Sequence, residues 1–420
     1  MSEKFQIQVN SEIGELEGVI LHAPGVEIEN MTPETAERAL YSDILNLTVA
    51  SEEYAQLKGV LQKISKTFEV QDLLQKVLEN EKIKADIINK VCTNENALDV
   101  REYLLSLPSG ALAKQFIEGV PMKKDNLTKY LAKEKYSLQP LHNFFFTRDA
   151  SMTVRDKVLI GRMANNVRKR EALIMEAIFS HHPDLKVAEV VNPENCYDCR
   201  PELTIEGGDV LVARDDVFLI GNGPRTSTYG IDFLIEELKK RKLKRHLIVQ
   251  ELPHNPESFI HLDMVFTFID RDKCMVYEPI ILKQNRYQTI HIEIDNGEVK
   301  SIRNVQNIPY ILRKLGIDLE PVYCGGKNEW IQDREQWHSG ANFFAVGPGK
   351  VIGYERNVHT IGELNKAGLE VIKSEDVISG KINLSDYQKY VVTIEGSELS
   401  RGGGGARCMT MPIRRKEMSW

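Results

Sequence analysis

Four times after residue 140 the chain repeats one plan: a short apolar strand, a tight turn of Asp, Gly, Lys or Arg, and a second apolar strand. The copies read MTVRDKVLIG, DVLVARDDVFLIG, VFTFIDRDKCMVYEP and FFAVGPGKVIGYERN. Turn residues between β-branched and aromatic runs predict hairpins. Helical stretches separate them, from Asn166 to Phe179, Ile231 to Arg241 and Val305 to Leu315. Hairpin plus helix at a steady interval predicts ββαβ units arranged radially or in a stack, an α/β fold. An N-terminal strand in LEGVILHAPG supplies a piece of a fifth unit.

Between that strand and the first hairpin the texture changes. Thr32-Pro33-Glu34 reads as a helix start, with an N-cap threonine, proline at the first helical position and acid in the first turn. From Ser51 to about Leu131 apolar residues recur at spacings of three and four. Tyr54, Leu57, Leu61, Ile64 and Phe68 lead, Leu74, Val77 and Leu78 follow, and Leu104, Leu105, Leu112 and Phe116 come later. This predicts an all-helical bundle inserted after the first strand. The expected organisation is therefore 1–32 as the first strand segment, 33–138 as the bundle and 139–420 as the remaining α/β modules. Exposed apolar positions on the bundle would allow a homo-oligomer, a dimer or tetramer.

At 420 residues and 42% hydrophobic content the chain can bury a large core. Its 54 basic and 61 acidic residues leave a net charge of -7, which argues against nucleic acid or an anionic membrane as the main partner. No apolar run reaches the length of a membrane span, and the N-terminus lacks a secretory pattern. Six cysteines are too sparse for a disulfide framework, so a reduced, cytoplasmic enzyme is expected. Cys196 and Cys199 form a CxxC among Asn, Pro and Asp with no second pair of ligands at suitable spacing. That reads as a loop, and no metal or cofactor is expected.

Close to the C-terminus stands SRGGGGARCMTMP, a glycine run leading to Cys408. Such a run reads either as a frayed tail with an incidental thiol or as a loop that presents a nucleophile. Asp149 precedes the first hairpin, in NFFFTRD; Glu206 precedes the second, in EGGD; His261 and Asp263 precede the third, in HLD. Taken singly, each reads better as a surface ion pair, a glycine turn or a structural histidine. If the modules surround an axis, these ends converge at its centre. HLD is expected to put imidazole and carboxylate on one face of an extended segment, and the glycines of EGGD to let backbone approach a ligand. One thiol, one imidazole and three carboxylates suit attack on a carbon that carries positive charge. Carboxylates would repel the oxyanion of acyl transfer but match the planar donor fork of a guanidinium.

In NFFFTRD, IEGGDV, HLDMVFTFIDRD, DREQWHSGANF, PGKVIGYERN and RCMTMP, in that order, the chain resembles the arginine deiminases among the guanidine-modifying enzymes. SEIGELEGVILHAPGVEIEN resembles that family's N-terminal segment, and the helical insertion also suits it. The resemblance implies a pentein fold, a five-module ββαβ propeller, and hydrolysis of free L-arginine to citrulline and ammonia through an S-alkylthiouronium intermediate. It implies Cys408 as nucleophile, His261 as general acid and base, Glu206 as its partner, and Asp149 and Asp263 as the guanidinium holders. Arg168, Arg225 and Asn143 match contacts to the amino-acid end. In many relatives an arginine of the glycine loop stands where this chain has Gly403; Arg401 lies two residues earlier. Lys169, Arg170 and Arg407 read as solvated or structural charges. The glycine loop is expected to close over the substrate. Agmatine hydrolysis, amidino transfer, or a non-catalytic role in binding arginine or a protein are the alternatives. Agmatine would leave Arg168 and Arg225 without a carboxylate to hold.

Overall fold

The structure, a computed structural model, describes residues 4–33, 36, 41, 43–195, 200–418 and 420. All four predicted hairpins form: Ser151–Val154 with Lys157–Ile160, Val210–Arg214 with Val217–Asn222, Phe266–Phe268 with Lys273–Val276, and Phe344–Gly347 with Lys350–Tyr354. The second strand of each then pairs in parallel with a later one, Glu189–Val191, Arg245–Glu251, Glu320–Tyr323 and Tyr390–Ile394 respectively. Parallel pairing requires a long crossover. Helices Lys169–His181, Thr228–Lys239, Ile308–Lys314 and Val358–Lys366 supply it.

The fifth module joins the two ends of the chain. Leu16–Leu21 pairs antiparallel with Met411–Arg415 and parallel with Lys66–Glu69, across helix Leu47–Ile64. The hairpin partner of the N-terminal strand therefore comes from the far terminus, which local spacing could not reveal. It also places Cys408 at the head of a strand deep in the fold. A second hairpin, Thr289–Asp295 with Glu298–Val305, widens the sheet that contains Arg245–Glu251.

The apolar stripe after Ser51 is only partly helical. Asn46 caps helix Leu47–Ile64 by accepting the N–H of Val49, and Tyr54, Leu57 and Leu61 line its buried face. Phe68, expected on the same stripe, lies in the strand Lys66–Glu69. Three and four residues of spacing inside KTFE cannot register a short strand between two helices. Helices Val70–Leu78, Glu81–Asn94, Arg101–Ser106, Ser109–Glu118 and Leu127–Leu131 follow. The expected helix start at Thr32-Pro33-Glu34 falls partly, and the CxxC of Cys196 and Cys199 wholly, outside the described residues.

The insertion does not stand apart. Leu74, Val77, Leu112 and Phe116 share one apolar core with Ile174, Met175 and Ile178 of the crossover helix and with Phe144. A second core joins Tyr54, Leu57 and Leu61 to Phe145, Phe146, Met264, Cys408 and Met409. Helix Leu47–Ile64 thus backs the segment that carries the thiol. No helix among the described residues is long and apolar enough to cross a membrane.

Candidate active site

Three module starts converge as expected. Asp149, Glu206, His261, Asp263 and Cys408 are all at most 4% exposed. His261 Nε2 lies 2.9 Å from Glu206 Oε2, and Ala164 N–H donates to the other oxygen of Glu206 at 2.9 Å. His261 Nδ1 lies 3.7 Å from Asp149 Oδ1, and neither atom has a hydrogen-bond partner. Cys408 Sγ is 3.8 and 4.0 Å from the two carboxylate oxygens of Asp263.

Charge sorts these groups into roles. Burial works against an imidazolium at His261, but Asp149, Glu206 and Asp209 outweigh it and raise the group to about 9. Glu206 is held down at about 2: burial opposes its charge, and the His261 contact together with Arg225 and Arg168 prevails. Burial, with the charges of Asp263 and Asp149 added, pushes the Cys408 thiol well above its ordinary range. Burial raises Asp209 to about 7; its Oδ1 accepts the N–H of Leu262 at 2.9 Å. Asp149, Glu206 and His261 bring possible ligand atoms within 4.8 Å of one another. An imidazolium in that set opposes a cation, so the three read more simply as an ion-pair cluster.

Local geometry corrects two expectations. HLD is not an extended face: His261 is extended, but Leu262–Met264 is a 3-10 turn, so the imidazole meets Glu206 while Asp263 meets the thiol. The glycines of EGGD serve neighbours of the chain itself. A Cβ at Gly207 would lie 2.0 Å from the Arg148 carbonyl oxygen, and one at Gly208 would lie 2.4 Å from His261 Nδ1. In the glycine run, Gly403 is left-handed at φ +84°, whereas Gly402, Gly404 and Gly405 are packed against Phe145, Phe146 and Asn342. The run is therefore an ordered turn rather than a frayed tail.

The residues expected at the amino-acid end divide among different places. Arg168 is 5% exposed, and its guanidinium is committed: Nη1 donates to Asp149 Oδ2 at 2.6 Å, Nη2 to Glu171 Oε2 at 2.7 Å and to the Phe146 carbonyl at 3.1 Å. Arg225 is half-buried in a cleft of about 300 Å³ that Ile260, Trp337, Arg401 and Gly403 also line. Arg401 turns outward and pairs with Asp43 and, at 3.2 Å, with Glu398. Asn143 lines a different cavity, of about 670 Å³, between Glu95 and Tyr136 of the insertion and the segment around Asn166.

Several buried polar residues have functions that their motifs alone did not disclose. Arg407, read as solvated or structural, is 1% exposed; it donates to Asp263 Oδ2 at 2.7 Å and grips Glu12 with two bonds of 3.1 Å. Arg148 Nε donates to the Arg407 carbonyl at 3.2 Å, and burial with the neighbouring Arg407 charge lowers it to about 9. Gln336 Nε2 donates to the carbonyls of Ser258 and Met264, on either side of His261. Asn342 contacts the Cys408 turn. An arginine set between alanine and cysteine in an otherwise uncharged stretch was the available signal for Arg407.

A family model described as arginine deiminase matches residues 37–415. The arginine deiminase of Limosilactobacillus reuteri is 35% identical, covering 98% of this chain and 98% of its own length. That of Listeria innocua is 32% identical over 97% and 98%. Among solved structures, the N-terminal domain of a cyanobacterial arginine dihydrolase matches with a TM-score of 0.52 at 13% identity, covering 95% of this chain and 97% of that one. An amidinotransferase from Microseira wollei matches with a TM-score of 0.53 at 13% identity, over 98% of both. At such identities the structures speak for a shared fold, the pentein fold.

Proposed function

The chain belongs to the arginine deiminase family, and we infer that it hydrolyses free L-arginine to L-citrulline and ammonia. One observation carries the reading at the level of residues. His261 Nδ1 and Asp149 Oδ1 face each other across 3.7 Å, neither with a hydrogen bond, and the Cys408 sulfur lies beside Asp263 in the same buried cluster. A planar cation held by both aspartates would present its carbon to sulfur and one nitrogen to the imidazolium.

The chemistry follows from charge. Buried, and with Asp263 and Asp149 beside it, the thiol keeps its proton. A guanidinium between Asp149 and Asp263 offsets both charges, so seating the substrate favours the thiolate, and the thiol proton passes to solvent. Sulfur then bonds to the guanidinium carbon. His261 gives its Nδ1 proton to the departing nitrogen, ammonia leaves, and an S-alkylthiouronium cation remains on Cys408. The imidazole, now neutral and held through Nε2 by Glu206, takes a proton from water as the oxygen adds to the same carbon. The C–S bond breaks, its electron pair returns to sulfur, and the product loses its surplus proton to give citrulline.

At the amino-acid end we assign the α-carboxylate first to Arg225, whose cleft opens beside Ile260, the neighbour of His261. Arg168 joins it once its Nη1 yields Asp149 to the incoming guanidinium; Asn143, whose carbonyl accepts from Arg168 Nη2 at 3.4 Å, stands beside Arg168. We also place the enzyme in the cytosol and expect two or four copies to associate. Leu127, Tyr130 and Leu131 of the insertion, each at least 70% exposed, support association, which sedimentation measures.

Product analysis with arginine and agmatine in parallel tests the reading. Wild-type protein yields citrulline and ammonia from arginine and little from agmatine. Cys408→Ala reduces turnover at least about 1000-fold. Arg225→Ala raises KM for arginine roughly thirtyfold, the loss of a charge-assisted hydrogen bond of about 2 kcal/mol. Citrulline from Cys408→Ala at the wild-type rate would refute the nucleophile; equal rates on agmatine would refute the carboxylate clamp.

A further inference from the structure

The segment DREQWHSGANF takes part in no step above, yet its asparagine accepts the backbone N–H of the nucleophile. Asn342 is 1% exposed. Its Oδ1 accepts two backbone N–H groups, from Arg407 at 3.0 Å and from Cys408 at 3.2 Å. Its Nδ2 donates to the backbone carbonyl of Asp263 at 3.1 Å. These partners fix which end of the amide is oxygen, since two donors face one end and an acceptor faces the other. A single side chain therefore joins the turn that carries the thiol to the turn that carries a guanidinium holder. Gly405 makes this reach possible: a Cβ there would lie 2.7 Å from Asn342 Oδ1.

We propose that Asn342 is the positioning residue of the nucleophile, setting the Cys408 sulfur against Asp263 and committing the Cys408 N–H so that it cannot serve as an oxyanion donor. The proposal rests on the deiminase reading and deepens it. In enzymes that attack carbonyls, the backbone N–H at the nucleophile commonly stabilises the developing oxygen anion. Here that donor, with the one before it, is spent on an amide oxygen. A guanidinium carbon develops no such anion, so the chemistry loses nothing, while an ester or amide would find no donor at that position.

The geometry separates positioning from mere filling of the core. Sulfur and Asp263 sit on different modules, near the start of Met411–Arg415 and of Phe266–Phe268. Arg407 is the second tie between them, through Asp263 Oδ2. Arg407 holds the carboxylate and Asn342 holds the backbone, so removing the amide strips the Arg407 and Cys408 N–H groups of their acceptor, while the aspartate stays gripped by Arg407 and the Cys408 carbonyl keeps the N–H of Arg148 at 3.1 Å.

The test uses the full chain with Asn342→Ala and Asn342→Asp. Three quantities are read: kcat and KM for arginine, the melting temperature, and the pH dependence of Cys408 alkylation by iodoacetamide without arginine, with the labelled peptide identified by mass. Asn342→Ala is expected to lower kcat at least tenfold with KM changed less than threefold, in protein folded at the assay temperature. Asn342→Asp keeps the acceptor, loses the donor to Asp263 and adds charge beside the thiol. Its alkylation profile is expected to move to higher pH by at least one unit. A kcat within twofold of wild type with superimposable alkylation profiles overturns the proposal, and so does a loss of kcat that only matches the loss of folded protein. Should Asn342→Ala fail to fold, Asn342→Asp decides: wild-type kcat and an unshifted profile overturn it. Alkylation needs no turnover, so this failure is distinct from wild-type protein yielding no citrulline, which would sink the deiminase reading instead.

Discussion

His261 keeps its proton because Asp149, Glu206 and Asp209 together outweigh the cost of burying its charge. The protonated form is the acid that releases ammonia, so kcat/KM should fall about tenfold per pH unit once pH rises above about 9. Glu206→Gln removes one raising partner and should bring that fall to lower pH. A profile flat to pH 10 in wild-type protein would count against His261 as the acid. Stability follows the same sign. A base raised from 6.5 to about 9 contributes fully below 6.5 and loses that contribution as pH climbs through about 9. Glu206, lowered from 4.5 to about 2, contributes above 4.5 and loses it as pH drops through about 2. At this scale Cys408, His261, Glu206, Asp149 and Asp263 were legible because each stands in a short motif. Glu12, Gln336 and Asn342 were not, since their work consists of contacts with residues on other elements.

The elements that carry these groups are fitted to each other through missing side chains. Gly208 gives the His261 ring its place, and Gly207 gives the Arg148 carbonyl its place. The two glycines should therefore fail differently. Gly208→Ala meets a side chain that can tilt, so kcat should fall about a hundredfold, as a displacement near 1 Å does, with the fold retained. Gly207→Ala meets backbone, so its main effect should be a stability loss of about 1–3 kcal/mol, read by denaturant titration. Equal kcat for wild type and Gly208→Ala would show that the ring's position is not set by this contact. The hairpins were readable because strand, turn and strand are contiguous in sequence. The 3-10 turn at Leu262–Met264 and the strand Lys66–Glu69 were not, because one is shorter than a period and the other is defined only by its pairing with Leu16–Leu21.

Across the whole molecule, the insertion and the α/β modules share apolar contacts: Leu74, Leu112 and Phe116 lie in one cluster with Ile174 and Ile178. We draw the edge of the insertion at Val70, since helix Leu47–Ile64 and strand Lys66–Glu69 complete the module that joins the two chain ends. With a continuous core, the two parts should unfold in one transition, coincident by far-UV circular dichroism and by tryptophan fluorescence. Trp330 and Trp337 report on the α/β part alone. Two separated transitions would show that the insertion is an independent unit. The sequence by itself determined the repeated hairpin-and-helix plan, the family, and the chemical identity of the reacting groups, because periodicity and motif are local properties of a chain. Only the tertiary structure decided that the N-terminal strand pairs with the C-terminal one, that Arg407 is buried against Asp263, and that Arg168 already holds Asp149. Those are matters of which distant segments share a dry interior, where a charge must find a partner wherever the fold brings one.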